Sequence, residues 1–151
     1  MTQEDKELLL KDLCARLPYG VKIYTKDGKN DASFILKISD LNWIFEDNRI
    51  DEMYEYDGWK PYLRPMSSMT EEEDKEYTNI DNRSYSCPKD YAHIPASDRI
   101  DWLNAHHFDY RGLIEQSLAL EAPEWMYKTW NSLRGNLKED NQGNIVGGLK
   151  L

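Results

Sequence analysis

The apolar residues of this chain change their repeat at one place, and that change limits what it can fold into. Leu9, Leu10, Leu13 and Leu17 recur at helical spacing, which makes one side of an α-helix apolar. Thr2 stands where such a helix needs an N-cap, and Glu4 and Asp5 follow in its first turn, where the helix dipole favours negative charge. Pro18 and Gly20 end the pattern. Directly afterwards the period falls to two. Val21 and Ile23 alternate with Lys22 and Tyr24, the run KDGKND supplies turn chemistry, and Phe34, Leu36 and Ile38 alternate with Ser33, Ile35 and Lys37. A helix with one apolar side beside a hairpin predicts an α+β fold. An N-terminal amphipathic helix packs on a small antiparallel β-sheet, and two or three short helices follow.

The rest of the chain fills in this outline. Leu41, Trp43 and Phe45 keep the two-residue period, and Ile50, Met53, Tyr54 and Tyr56 read as a further strand, for three to five antiparallel strands with helix on one face. Pro61 and Pro65 hold their stretch extended and outside a central strand. Thr70 and Glu73 have capping-box spacing and open a helix to about Tyr77. Asn79 to Pro95 is polar and irregular, with Tyr85, Tyr91 and Ile94 as apolar anchors, and reads as a connection able to cover a ligand. Ser97 then caps a helix carrying Ile100, Leu103 and His107 on one side, and Trp125 to Leu133 forms a last helical piece. Residues 1–134 are expected to form a single domain and 135–151 a flexible tail.

A chain of 151 residues can bury a real core, and five Trp, ten Tyr and three Phe supply the material for one. The formal net charge is -9; Glu71 to Asp74 are contiguous acids, and Asp40 to Asp57 holds Arg49 as its only base. A surface of that sign repels phosphate backbones, which argues against nucleic-acid binding. It suits a basic protein partner or a mimic of nucleic acid, although acidic helix starts are the commoner reason for such runs. Cys14 and Cys87 form no C-x-x-C pair, the N-terminal residues do not resemble a signal peptide, and no apolar run is long enough for a membrane span. A reduced, cytoplasmic setting is the expectation.

Chemistry, if present, concentrates in LNAHHFDYRGLI, Leu103 to Ile114. Adjacent residues on a helix point roughly 100° apart, so His106 and His107 cannot readily share one metal ion as histidines four apart do. Neither a metal nor a cofactor is read from the chain. A hydrolase needs a nucleophile, a base and an orienting acid; Cys87 with His93, or Ser86 with His107 and Asp109, are the combinations available. No G-x-S-x-G, H-E-x-x-H, G-x-G-x-x-G or phosphate-binding glycine loop accompanies them. The catalytic candidates are therefore His106, His107 and Asp109. The competing reading makes the same residues a rigid corner. A histidine meets the negative end of a helix, Phe108 and Tyr110 fill the core, Asp109 bonds local backbone or Arg111, and Gly112 redirects the chain. Trp59, Tyr62 and Arg64, with Tyr110 and Arg111, are candidate partner-binding residues, since aromatic and arginine side chains anchor interfaces; Trp43, Trp59 and Tyr62 equally suit a core.

The strings LLLKDLCARLPYGVK, PYLRPMSSMTEEE and LNAHHFDYRGLIEQSLALEAPE resemble a group of small, uncharacterised acidic proteins encoded in prophages and other mobile elements of gut Bacteroides-type bacteria. The resemblance spans roughly residues 1–127, and the ending after Met126 departs from that of the group. It implies an accessory protein acting on host or phage machinery, and assigns no reaction, ligand or catalytic residue. The leading expectation is thus a non-enzymatic interaction or regulatory protein that binds a protein partner. The rivals are a nucleic-acid-mimicking inhibitor and a hydrolase or metal-binding protein built on His106 and His107.

Overall fold

The computed structural model describes residues 1–27, 30–47, 54, 58–86, 93–127, 138–139 and 145–146. The chain divides into two units, Met1–Glu121 and Ala122–Leu151. In the second, Glu124 to Tyr127 form a turn, and β5 (Lys138–Glu139) pairs antiparallel with β6 (Ile145–Val146). The described part of the helical piece expected over Trp125–Leu133 is therefore a turn, and the remainder lies outside the described residues.

In the first unit, α1 (Gln3–Arg16) begins with a reciprocal capping box. Thr2 Oγ1 accepts from the Asp5 N–H at 3.1 Å, and Asp5 Oδ2 accepts from the Thr2 N–H at 2.9 Å. A 3-10 turn at Leu17–Tyr19 and Gly20 at φ 71° close it. The apolar stripe is narrower than its spacing implies: Leu9 and Leu13 are fully buried, Leu10 and Leu17 only in part, and Asp12 and Arg16 are buried beside them.

The sheet has the order β2-β1-β3-β4. β1 (Lys22–Asp27) and β2 (Asn30–Ile35) form the expected hairpin, in register from Lys22 opposite Ile35 to Asp27 opposite Asn30. β3 (Lys60–Leu63) pairs antiparallel with β1, but β4 (Leu120–Glu121) joins β3 in parallel, so the sheet is mixed rather than antiparallel throughout. Pro61 lies in this interior strand, against the expectation that it would stay outside one. It is tolerated because the ladders are short and staggered: Lys60 and Pro61 face β1, whereas Tyr62 and Leu63 face β4. Leu9, Leu13, Val21, Ile23, Leu36, Leu41, Leu63, Leu113 and Leu118 make the core between α1 and the sheet.

Further along, the structure departs from the sequence reading at helices. Leu41, Trp43 and Phe45 belong to α2 (Ile38–Asp47), not to a strand. Leu41, Ile44 and Phe45 fit a helical repeat as well as the last three odd positions fit a strand. The bond from the Lys37 N–H to Asp40 Oδ2 at 2.8 Å starts the helix. The strand expected around Ile50 to Tyr56 lies outside the described residues except at Tyr54, whose backbone is helical. The helix opened by Thr70 and Glu73 is α3 (Glu71–Ser86), two turns longer than expected, and α4 (His93–Ala105) starts before Ser97. The connection expected over Asn79–Pro95 is thus helical at both ends. Pro95 is accommodated in the first turn of α4, where its missing N–H would be unbonded anyway, so Ser97 is an interior residue and not the cap. Tyr77 of α3 packs on Trp102 of α4 with ring centroids 5.6 Å apart. Among the described residues no helix is long and apolar enough to cross a membrane.

Candidate functional site

The corner begins where α4 ends. The Phe108 N–H reaches back to Leu103 O at 3.0 Å and the His107 N–H to Asn104 O at 3.1 Å. His107 has φ 59°, and Leu103 and Phe108 are both buried. This is a Schellman closure with histidine at the left-handed position usually held by glycine. Further along, at Ser117, the chain repeats the device. The Leu118 N–H bonds Leu113 O at 2.8 Å, the Ser117 N–H bonds Ile114 O at 3.0 Å, and Ser117 has φ 60°. Between the two closures Asp109 accepts from the Leu113 and Ile114 N–H groups at 2.9 and 2.8 Å, and Gly112 at φ 72° turns the chain.

Long-range bonds fix this corner to the rest of the unit. Arg64, just beyond β3, donates its N–H to His107 O at 2.8 Å and accepts from the Asp109 N–H at 2.7 Å. Its guanidinium lies 4.2 Å from the centroid of the Phe108 ring and grips Glu73 with two bonds of 2.7 and 2.8 Å. From α1, the fully buried Arg16 binds the equally buried Asp12 at 2.7 and 3.1 Å and donates to Phe108 O at 2.8 Å. Arg111 Nε stands 3.4 Å from Asp12 Oδ1. The Tyr110 hydroxyl accepts from Arg111 at 2.7 Å and donates to Asn104 Oδ1 at 3.1 Å.

The two histidines diverge. The His106 ring stacks on Trp102 with centroids 4.0 Å apart, and its Nδ1 is 2.9 Å from Trp102 O, an acceptor that assigns the proton to Nδ1. His107 is buried. Burial first, then the charge of Arg16 and those of His106 and Arg64, depress its pKa to about 3, with a hydrogen bond to the Tyr19 backbone acting the other way. An imidazole that basic groups hold neutral is a weak proton acceptor at neutral pH. Asp109 turns both oxygens to backbone N–H groups rather than to an imidazole. The three catalytic candidates adjoin in sequence but do not converge on one point. Cys87 lies outside the described residues, as do the side chains of Ser86, His93 and Trp43. Among the described residues no cluster of three His, Cys, Asp or Glu side chains is placed to hold a metal ion.

The candidate partner-binding residues are all half-buried. Trp59 meets Phe34 edge to face at 4.7 Å, Tyr62 meets Tyr24 at 6.2 Å, and Arg64, Tyr110 and Arg111 belong to the corner network. The network also contains Asp12, Arg16, Glu73 and Asn104, which sequence reasoning did not place there. The only signal for the first two is their spacing of four, which ordinarily describes a solvated pair on a helix surface.

Compared with protein-family models, curated proteins and solved structures, the chain matches none.

Proposed function

We propose that the chain is a non-enzymatic interaction protein of a reduced, cytoplasmic setting, encoded on a prophage or other mobile element, that binds a basic protein partner. One observation supports the reading most. The constellation that most resembles an active site, His106, His107 and Asp109, is engaged in closing and bracing the corner. Charge supplies the partner's chemistry. On α3, Glu71, Glu72, Asp74 and Glu76 are exposed, whereas Glu73 turns inward to Arg64. A basic surface meeting these acids gains association rate and orientation. The resemblance to mobile-element proteins points the same way.

The test is affinity capture from the native host with the wild-type chain and with Glu72→Lys/Glu76→Lys, followed by mass spectrometry. A partner held reproducibly by the wild type and released by the charge-reversed variant, its circular dichroism unchanged, is the expected result. Absence of any reproducible partner, or equal retention by both chains, contradicts the reading.

A further inference from the structure

Among the described residues, two buried N–H donors of charged side chains lack a hydrogen-bond acceptor: Nη1 of Arg16 and Nε of Arg111. Both guanidiniums address one carboxylate. Arg16 holds Asp12 at 2.7 and 3.1 Å, while Arg111 Nε, 3.4 Å from Asp12 Oδ1, is at ion-pair distance without hydrogen-bond geometry. The other acids of the corner are occupied, Glu73 by Arg64 and Asp109 by the Leu113 and Ile114 N–H groups. A buried charged donor without an acceptor is costly, so this arrangement favours an additional acceptor.

Arg111 is the member nearer solvent, although its Nε is itself covered. Its side chain is 15% exposed, against 0% for Arg16 and Asp12. It is also held in position, because the Tyr110 hydroxyl takes one of its N–H groups and the Tyr110 ring lies 4.9 Å from the guanidinium carbon. Asn104 in turn holds the Tyr110 hydroxyl. A guanidinium fixed in advance loses little freedom on binding, and its planar fork matches two oxygens of a carboxylate or phosphate.

We propose that Arg111, with the positive charge of Arg16 behind it, is a binding point for a small oxyanion, a carboxylate or a phosphate, that supplies an acceptor Arg111 lacks. A small ligand is specified because the chain's net charge of -9 repels extended polyanions. The site requires no protein partner and uses none of the exposed acids of α3.

The full-length protein is titrated with sodium acetate or inorganic phosphate, with chloride holding ionic strength constant. The Arg111 Nε–Hε resonance is expected to shift saturably, and Tm to rise by roughly 4 °C at tenfold above Kd. Arg111→Met abolishes both responses. Saturation by acetate alone assigns the site to carboxylates, and saturation by phosphate alone to phosphates. If Arg111→Met does not fold, Arg111→Lys, which keeps the charge but not the planar fork, binds about tenfold more weakly or worse. No saturable shift with either anion, the same response in Arg111→Met, or undiminished binding by Arg111→Lys overturns the proposal.

Discussion

Helix α1 makes two attachments of opposite character from neighbouring residues. Leu9 and Leu13, four apart, enter the core beneath the sheet, while Asp12 and Arg16, also four apart, enter the corner that follows α4. The first attachment is non-directional and depends on apolar area, roughly 1.5–3 kcal/mol for each large aliphatic side chain fully buried. The second depends on geometry. Arg16 must find Asp12 and Phe108 O together, and each group left unmatched in the interior is penalised. The leucines therefore explain why α1 docks, and the charged pair explains why the corner docks against it in one arrangement.

The strongest way to break this comparison is to remove one charge. Asp12→Ala leaves Arg16 buried beside Arg111 with no carboxylate between them, and is expected to destabilise the fold by about 3–5 kcal/mol. Leu13→Ala deletes apolar volume only and is expected to cost about 2–5 kcal/mol, depending on how far the site collapses. Equilibrium urea unfolding measures both. The discriminating variant is Asp12→Leu/Arg16→Met. If the polar attachment provides specificity more than stability, the double variant recovers most of the loss seen in Asp12→Ala. A double variant as unstable as the single one shows instead that the pair is a net stabiliser.

Acid sharpens the comparison, because the leucines do not titrate and the corner does. Burial and the neighbouring cations hold His107 at a pKa of about 3, far below the ordinary 6.5. The unfolded chain thus takes up a proton at this residue first. Its contribution to stability is complete above about pH 6.5 and is lost as pH falls toward 3, by up to about 1.4 kcal/mol per pH unit. His107→Gln is expected to flatten that part of the stability profile without moving the loss below it. An unchanged slope between pH 6 and 4 shows that His107 is more accessible to protons than its burial indicates.

These differences also explain what was legible in the sequence. The α1 stripe, its Thr2 cap, the hairpin and the Thr70–Glu73 capping box are local patterns, readable because each partner lies within a few residues. At α2 the local pattern was ambiguous: three odd-numbered apolar residues satisfied a strand, and only Ile44 and Asp40 favoured the helix. The parallel β4 and the Arg64–Phe108 bridge join residues more than forty positions apart and leave no periodic trace. Within the corner, the closure by HHFDYRG was legible as chemistry of a turn. The burial of Asp12 and Arg16 was not, because a charged pair at spacing four has the same sequence whether it faces water or the core. The left-handed histidine where glycine is usual is held by bonds to Arg64 and Tyr19, whose positions far away in sequence give no local signal.

A smaller effect is expected at Asp109, whose carboxylate binds two backbone N–H groups and no side chain. Asp109→Ala leaves both donors in a largely buried turn and is expected to cost about 1–3 kcal/mol. Asp109→Asn keeps one acceptor and should fall between. Hydrogen exchange at Leu113 and Ile114 separates a local loosening from global loss. Acceleration confined to residues 112–118 marks the second closure as an independent piece of the corner; uniform acceleration makes it part of the same cooperative unit as α1 and the sheet.

The smallest expected effects compare two capping boxes of the same design. In α1, Thr2 and Asp5 bond each other, and both bonds are exposed. In α3, Thr70 and Glu73 exchange the same bonds, but Glu73 also receives Arg64. Burial pushes the Glu73 carboxyl up, yet the bonds from Arg64 and Thr70 and the Arg64 charge together outweigh it and hold the carboxyl below its usual range. Thr2→Ala should therefore cost about 1 kcal/mol or less at neutral pH, since the end of α1 can fray without disturbing Leu9 or Leu13. Thr70→Ala should cost about 1 kcal/mol, and its dependence on acid is the more informative quantity. Glu73 contributes above the ordinary carboxylate pKa, and that contribution fades as pH falls through its lowered folded value. If Arg64 is the dominant tie, Thr70→Ala preserves this acid dependence and Glu73→Gln removes it. If both substitutions remove it equally, the cap itself anchors α3, and the corner's hold on that helix through Arg64 is secondary.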